Sequence, residues 1–295
     1  MKLTILALCL FTLTGCDQKI PYVSRALTEP GSFTSQAEGP AVSREGDLFA
    51  VSYDHKETIG RITPEGAGSI FIEMPEGSTA NGIRFSSHEE MFIADYTGHN
   101  ILKSNTNGDI SIFAHEPRMN QPNDLAIMDN DILFASDPNW PDNTGLLWRI
   151  SPDGKVTLLE ENMGTTNGIE VSPDQKRLYV NESKQRNVWV YALSSEGDIS
   201  DKRLFHKFEN GGQDGMRCDA AGNLYIARHG NGVIVKLSPE GKVLRRIELQ
   251  GMNPTNIAFG GKDGKTCYVT ISDKGNIETF RVETPGRSWQ MRQSH

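Results

Sequence analysis

Cysteine is scarce in this chain, four residues in 295, so a scaffold held together by disulfides is excluded. No hydrophobic run is long enough to cross a membrane as a helix: the most apolar stretch, Leu3 to Leu13, is too short. Positive charge is in deficit, with 30 Lys and Arg against 38 Asp and Glu, a formal net charge of −8 and a pI near 5.4. Nucleic acid is therefore set aside as a partner, because phosphate binding draws on clustered cations. Several catalytic signatures are missing too: no Gly-x-Ser-x-Gly elbow, no His-Glu-x-x-His, no Cys-x-x-Cys and no phosphate loop. Asp129-Asn130-Asp131 begins like a calcium-binding loop but lacks its glycine and its terminal glutamate, and is rejected as one. What remains, 37% hydrophobic and 23% charged residues, describes a folded soluble chain of one large or two ordinary domains.

The amino terminus stands apart. Lys2, the apolar run and then Leu13-Thr14-Gly15-Cys16 resemble a lipoprotein signal, in which Cys16 becomes the lipidated first residue; an ordinary secretory signal with a chance cysteine is the alternative. Asp17 resembles the signal that retains such proteins on the inner membrane. The expectation is a signal peptide over residues 1–15, a polar tether over 16–36 and a domain over 37–295, in the periplasm, touching the membrane through the lipid only. Of the remaining cysteines, Cys218 and Cys267 occupy apolar repeat positions, as buried free thiols or as a disulfide pair.

The body of the chain is repetitive. An apolar-aromatic motif recurs as Leu48-Phe49-Ala50, Met91-Phe92-Ile93, Leu133-Phe134-Ala135, Leu178-Tyr179-Val180, Leu224-Tyr225-Ile226 and Cys267-Tyr268-Val269. Successive aromatics are 43, 42, 45, 46 and 43 residues apart, the length of a propeller blade. Five of them are followed by a hairpin signal: Pro64-Glu65-Gly66, Asn107-Gly108, Pro152-Asp153-Gly154, Glu196-Gly197 and Pro239-Glu240-Gly241. The fold expected is all-β, a six-bladed β-propeller; a pair of β-sandwiches would not require six equal repeats.

Ahead of each aromatic lies a segment that opens on an oxygen-bearing side chain: Glu38, Asn81, Asn123, Asn167, Asp214 and Thr255. If these segments are the innermost strands, six oxygen donors converge on the axis and form a central metal site. Carboxylates and amides without His or Cys suit a hard divalent cation; Ca²⁺ is preferred, with Zn²⁺ and Mn²⁺ open. Tight Asx-Gly turns explain any single copy, but not the Asn that persists without glycine at Asn123 or the glutamate at Glu38.

These segments also resemble the SMP-30/gluconolactonase/LRE-like proteins. The likeness rests on Glu38-Gly39-Pro40, Gln121-Pro122-Asn123-Asp124, Phe134-Ala135-Ser136-Asp137-Pro138, Thr166-Asn167-Gly168-Ile169, Asp214-Gly215-Met216 with Gly222-Asn223-Leu224-Tyr225, and Phe259-Gly260-Gly261-Lys262-Asp263-Gly264. The resemblance implies a six-bladed propeller, metal ligands at Glu38, Asn123, Asn167 and Asp214, and Asp214 as general base in hydrolysis of a small lactone. Asp137 and Asp124 stay open as alternative bases. Asn81, Gln121 and Asp137 are the candidates for substrate contact; Asn81 and Thr255 either bind water or substrate or close the ring by packing, and His229 lies either at the channel mouth or on a solvated loop. Gln121 stands where the vertebrate branch carries arginine, which puts aldonolactone specificity in doubt. Two rivals remain: a hydrolase of phosphoester or phosphofluoridate bonds, and a non-catalytic, metal-braced propeller that binds an envelope protein or glycan.

Overall fold

The computed structural model describes residues 20–105 and 107–293. The signal segment, Cys9 and Cys16 lie outside the described residues. Six antiparallel sheets of four strands form a six-bladed propeller. The first blade runs outward from Phe33–Val42 through Leu48–Tyr53 and Thr58–Ile62 to Gly68–Glu73, and the next four repeat that order.

Period-two alternation explains why the ring packs. On the second strand of a blade, neighbouring residues point to opposite faces and so serve two different blade interfaces. Ile93 joins the cluster shared with the first blade, which includes Phe49, Phe85 and Ile59, while Phe92 and Ala94 join the cluster shared with the third, around Trp148 and Leu133. Six such clusters fill the six junctions. All six repeat aromatics are buried, and each contributes about 1.5–3 kcal/mol by leaving water. Ring contacts cross the junctions, as between Phe49 and Phe85 at 5.7 Å and between Tyr225 and Phe259 at 5.1 Å. Cys218 and Cys267 are both buried free thiols in separate clusters, and burial pushes both thiols up.

The innermost strands hold the site. Their pairing with the second strand slips where the oxygen-bearing residue sits, between Glu38 and Ala41, Ala80 and Ile83, Thr166 and Ile169, and Pro254 and Asn256. In the third and fifth blades the inner strand begins just past that residue, at Leu125 and Met216. An irregularity of this kind re-aims a side chain, and here it aims one donor per blade along the axis. Glycine follows the donor in four blades because the next blade comes too close for a side chain: a Cβ on Gly82 would lie 2.8 Å from the Asn123 carbonyl oxygen, and one on Gly215 would overlap the Asn256 amide. Gly82 and Gly215 instead donate their N–H groups to the Asn123 and Thr255 carbonyls, at 2.8 and 2.7 Å.

The expected tether needs correction. Arg25–Ala26 pairs with Asn276–Arg281 and becomes the outermost strand of the last blade, whose other three strands come from the far end of the chain. The Leu27 N–H donates to the Ile277 carbonyl at 2.8 Å and the Phe33 N–H to Gly275 at 2.9 Å. A four-stranded blade needs an outer strand, and here the amino-terminal segment supplies it. A short helix, Arg287–Gln293, follows the last blade and packs against the inner strands Met216–Cys218 and Pro254–Gly260. Removal of residues 1–30 is expected to lower the thermal midpoint by about 5–10 °C relative to removal of residues 1–19, read by circular dichroism; equal midpoints would deny the closing role of Arg25–Ala26.

Candidate active site

All six predicted ring residues, Glu38, Asn81, Asn123, Asn167, Asp214 and Thr255, line one cavity of about 490 Å³ at one end of the axis. That volume suits a small molecule. Glu38, Asn123, Asn167 and Thr255 are buried at its floor, while Asn81 and Asp214 keep a face open to it.

Two of the six are committed to closing the ring. The Asn81 amide donates to the Asn123 carbonyl at 3.0 Å, and the Thr255 hydroxyl donates to the Ala37 carbonyl at 2.7 Å. The other four differ. The side-chain oxygens Oδ1 of Asn123 and Asn167 are buried and accept no hydrogen bond among the described residues. A buried unpartnered acceptor costs about 1–3 kcal/mol, and two of them aimed at one cavity with two carboxylates make a donor set in want of a positive partner. The carboxylates say the same. Burial, reinforced by the Asp124 charge, pushes Glu38 up to about 7, although the Gly39 N–H donates to it at 2.6 Å. Burial and the Glu38 charge push Asp214 well above the usual carboxylate range. Among the described residues no three His, Cys, Asp or Glu side chains gather at a point, so any cation here would rest on a mixed set of two carboxylates and two amide oxygens. That set fits an oxygen-coordinated divalent cation.

The wall carries hydroxyls, among them Ser52, Thr79, Ser183 and Ser272, with Tyr96 and Trp140 as aromatic faces, and no lysine or arginine is among the described lining residues. Lys184 stands behind Trp140 and fixes its loop, donating to the Trp140 carbonyl at 3.0 Å and to Asn143 Oδ1 at 2.6 Å. His229 lines the cavity instead of lying on a solvated loop, and burial holds its imidazole below the usual range, in the neutral form near pH 7.

Three candidates are not brought into the cavity. Asp137 is fully buried and structural: it accepts the Asn120 and Gln121 backbone N–H groups at 2.9 and 2.6 Å and the Trp148 indole N–H at 2.8 Å. It is spent on holding the loop ahead of Asn123, which excludes it both as a base and as a substrate contact. Gln121 is half-buried on that loop and does not line the cavity. Asp124 points the other way along the axis, to Arg84 at 3.2 Å and Arg217 at 3.1 Å, and these guanidiniums hold it ionised against burial, so it is no free base. Sequence reasoning missed Tyr96, Trp140 and Lys184; single aromatics on loops carry no periodic signal.

The sequence profile of the SMP-30/Gluconolactonase/LRE-like region matches residues 36–273, and the chain belongs to that family. A gluconolactonase of Zymomonas mobilis is 27% identical over 286 aligned residues, covering 85% of this chain and 79% of its own length. A pentonolactonase of Haloferax volcanii is 36% identical over 131 residues, covering 43% of this chain and 45% of its own length. Among solved structures, regucalcin of Agrobacterium tumefaciens, described as a calcium-binding protein, superposes with a TM-score of 0.78 at 21% identity, covering 90% of this chain and 96% of that one.

Raised native pKa values in Glu38 and Asp214 mean that the cation-free fold binds more protons than the unfolded chain, so its stability falls as pH rises from about 4 through about 7. A bound cation needs both groups ionised. The rise in thermal midpoint on adding Ca²⁺ should therefore be larger at about pH 8 than at about pH 5; an equal rise at both would mean that the ion binds elsewhere.

Proposed function

We propose that this chain is a divalent-cation-dependent lactonase acting on a neutral, polyhydroxylated lactone. The observation that carries the reading is the pair of orphaned amide oxygens, on Asn123 and Asn167, converging with Glu38 and Asp214 on the floor of a hydroxyl-lined cavity. Membership of a family that contains gluconolactonase and pentonolactonase relatives supports it. Glu38, Asn123, Asn167 and Asp214 would hold the cation, with Ca²⁺ preferred. When bound, it would polarise the ester carbonyl and stabilise the negative charge that develops there.

The side chains supply the rest. Hydroxyls of Ser52, Thr79, Ser183 and Ser272 match the alcohols of a sugar lactone, and Trp140 and Tyr96 offer faces to its C–H edges. Water adds to the ester carbon and gives one proton to an Asp214 carboxylate oxygen. The ring C–O bond then breaks, and that proton passes to the departing ring oxygen, leaving a hydroxy acid. His229, neutral and on the same wall, is a second group able to carry a proton to that oxygen. A phosphoester, by contrast, meets no guanidinium or ammonium group among the described lining residues.

Asp214→Asn and Glu38→Gln should each reduce kcat/KM on a panel of aldonolactones by roughly 100-fold or more, and chelation should do the same to the unaltered protein, with recovery on adding Ca²⁺, Zn²⁺ or Mn²⁺. If the protein binds the cation but opens no lactone, the propeller is a binding scaffold braced by metal, and the enzymatic reading fails.

We infer from Leu13-Thr14-Gly15-Cys16 and Asp17 that the protein is a periplasmic lipoprotein of the inner membrane. Cys16→Ala is expected to shift it from the membrane fraction to the soluble fraction or to leave its leader uncleaved; membrane retention with a processed leader would deny lipidation at Cys16.

A further inference from the structure

The opposite end of the axis is built from charge. Three residues past each oxygen donor the inner strands carry Ala41, Arg84, Ala126, Glu170, Arg217 and Ala258, a second ring in which three charged side chains interrupt buried apolar strands. The helix Arg287–Gln293 adds Arg287 and Arg292 from below. Between them lies a cavity of about 20 Å³, lined by Arg84, Arg217, Arg287, Arg292 and Glu170. That is room for a single water-sized particle.

The charges do not balance inside. Four guanidiniums are at least nine-tenths buried, with side-chain exposures of 7% for Arg84, 5% for Arg217 and Arg287, and 4% for Arg292. Of the described carboxylates that pair with these guanidiniums, two are equally buried: Asp124, which pairs with Arg84 and Arg217, and Glu170, which lies 3.7 Å from Arg287 and 4.0 Å from Arg217. Among the paired groups that are at least nine-tenths buried, four are positive and two negative. Two further carboxylates stand at the rim: Glu89, 16% exposed, whose buried and unpartnered Oε1 lies 3.8 Å from both Arg44 and Arg292, and Asp129, beside Arg287 at 3.2 Å and 39% exposed. Three donors in this layer have no hydrogen-bond acceptor among the described residues: Nη2 of Arg217, Nε of Arg287 and Nε of Arg292. Buried N–H groups left so are rare.

We propose that this layer binds one small monovalent anion, of chloride size, which accepts from the unpartnered guanidinium N–H groups and ties the carboxy-terminal helix to the inner strands of the propeller. A neutral water would satisfy donors but leave the surplus charge. An anion does both, and the small cavity suits a monatomic one. Desolvation pulls Arg292 down to about 10 even with the Glu89 carboxylate beside it.

Halide substitution is the test. Crystals grown or soaked in bromide should give one anomalous peak in the cavity between Arg217 and Arg292. In solution the thermal midpoint should rise saturably in chloride, by about 2–4 °C over methanesulfonate at equal ionic strength. The variant Arg292→Gln should lose that difference between the salts. A water in the cavity without anomalous signal, together with equal midpoints in the two salts, would overturn the proposal. Neither measurement uses lactone turnover, so the outcome is independent of the catalytic reading.

Discussion

Six inner strands approach one another closely around an axis, and in four of the blades the neighbour comes so near that only a residue without a side chain fits. Gly39, Gly82, Gly168 and Gly215 supply those gaps; at Gly39 the backbone also takes the left-handed conformation, with φ of 56°. The N–H groups of Gly82 and Gly215, and the amide of Asn181 at 2.7 Å from the Asp214 carbonyl, then stitch neighbouring blades together. Because the strands are so close, the donors that flank the glycines are carried to one point and out of water. Depth, convergence and the orphaned amide oxygens all follow from that approach.

The axis is polar along its length. Its open end is rich in oxygen and its far end in guanidinium, and Asp124 stands between the two. Arg84 and Arg217 keep Asp124 ionised, and its charge in turn raises the cost of ionising Glu38. A basic layer below thus strengthens, through one buried aspartate, the demand for a cation above. Substitutions at Arg84 or Arg217 would be felt in the upper cavity although neither side chain lines it.

Much of this was legible in the sequence, and the gaps have physical causes. Six repeats could be counted because strands buried on both faces must carry apolar and aromatic residues at a fixed place, as Phe49 to Tyr268 do. The ring could be read because one donor per blade recurs in the same place. Arg25–Ala26 could not: it is polar and only two residues long, and its partners lie some 250 residues away, beyond any local pattern. Asp137 was ambiguous because a carboxylate beside proline looks the same whether it faces a cavity or a buried indole. Signals for the charged layer were present, in Ile83-Arg84-Phe85, Ile169-Glu170-Val171 and Met216-Arg217-Cys218, where one charge sits between apolar neighbours; they mean little until three such strands are known to face one another.

The last blade is sewn from both ends of the chain, and this gives the ring a seam. Every other blade is continuous in sequence and can form as a local meander, whereas this one waits for the amino-terminal strand to return after everything else has been made. The order of folding is thereby constrained, and opening under heat or force has a natural starting place at the two-residue strand Arg25–Ala26.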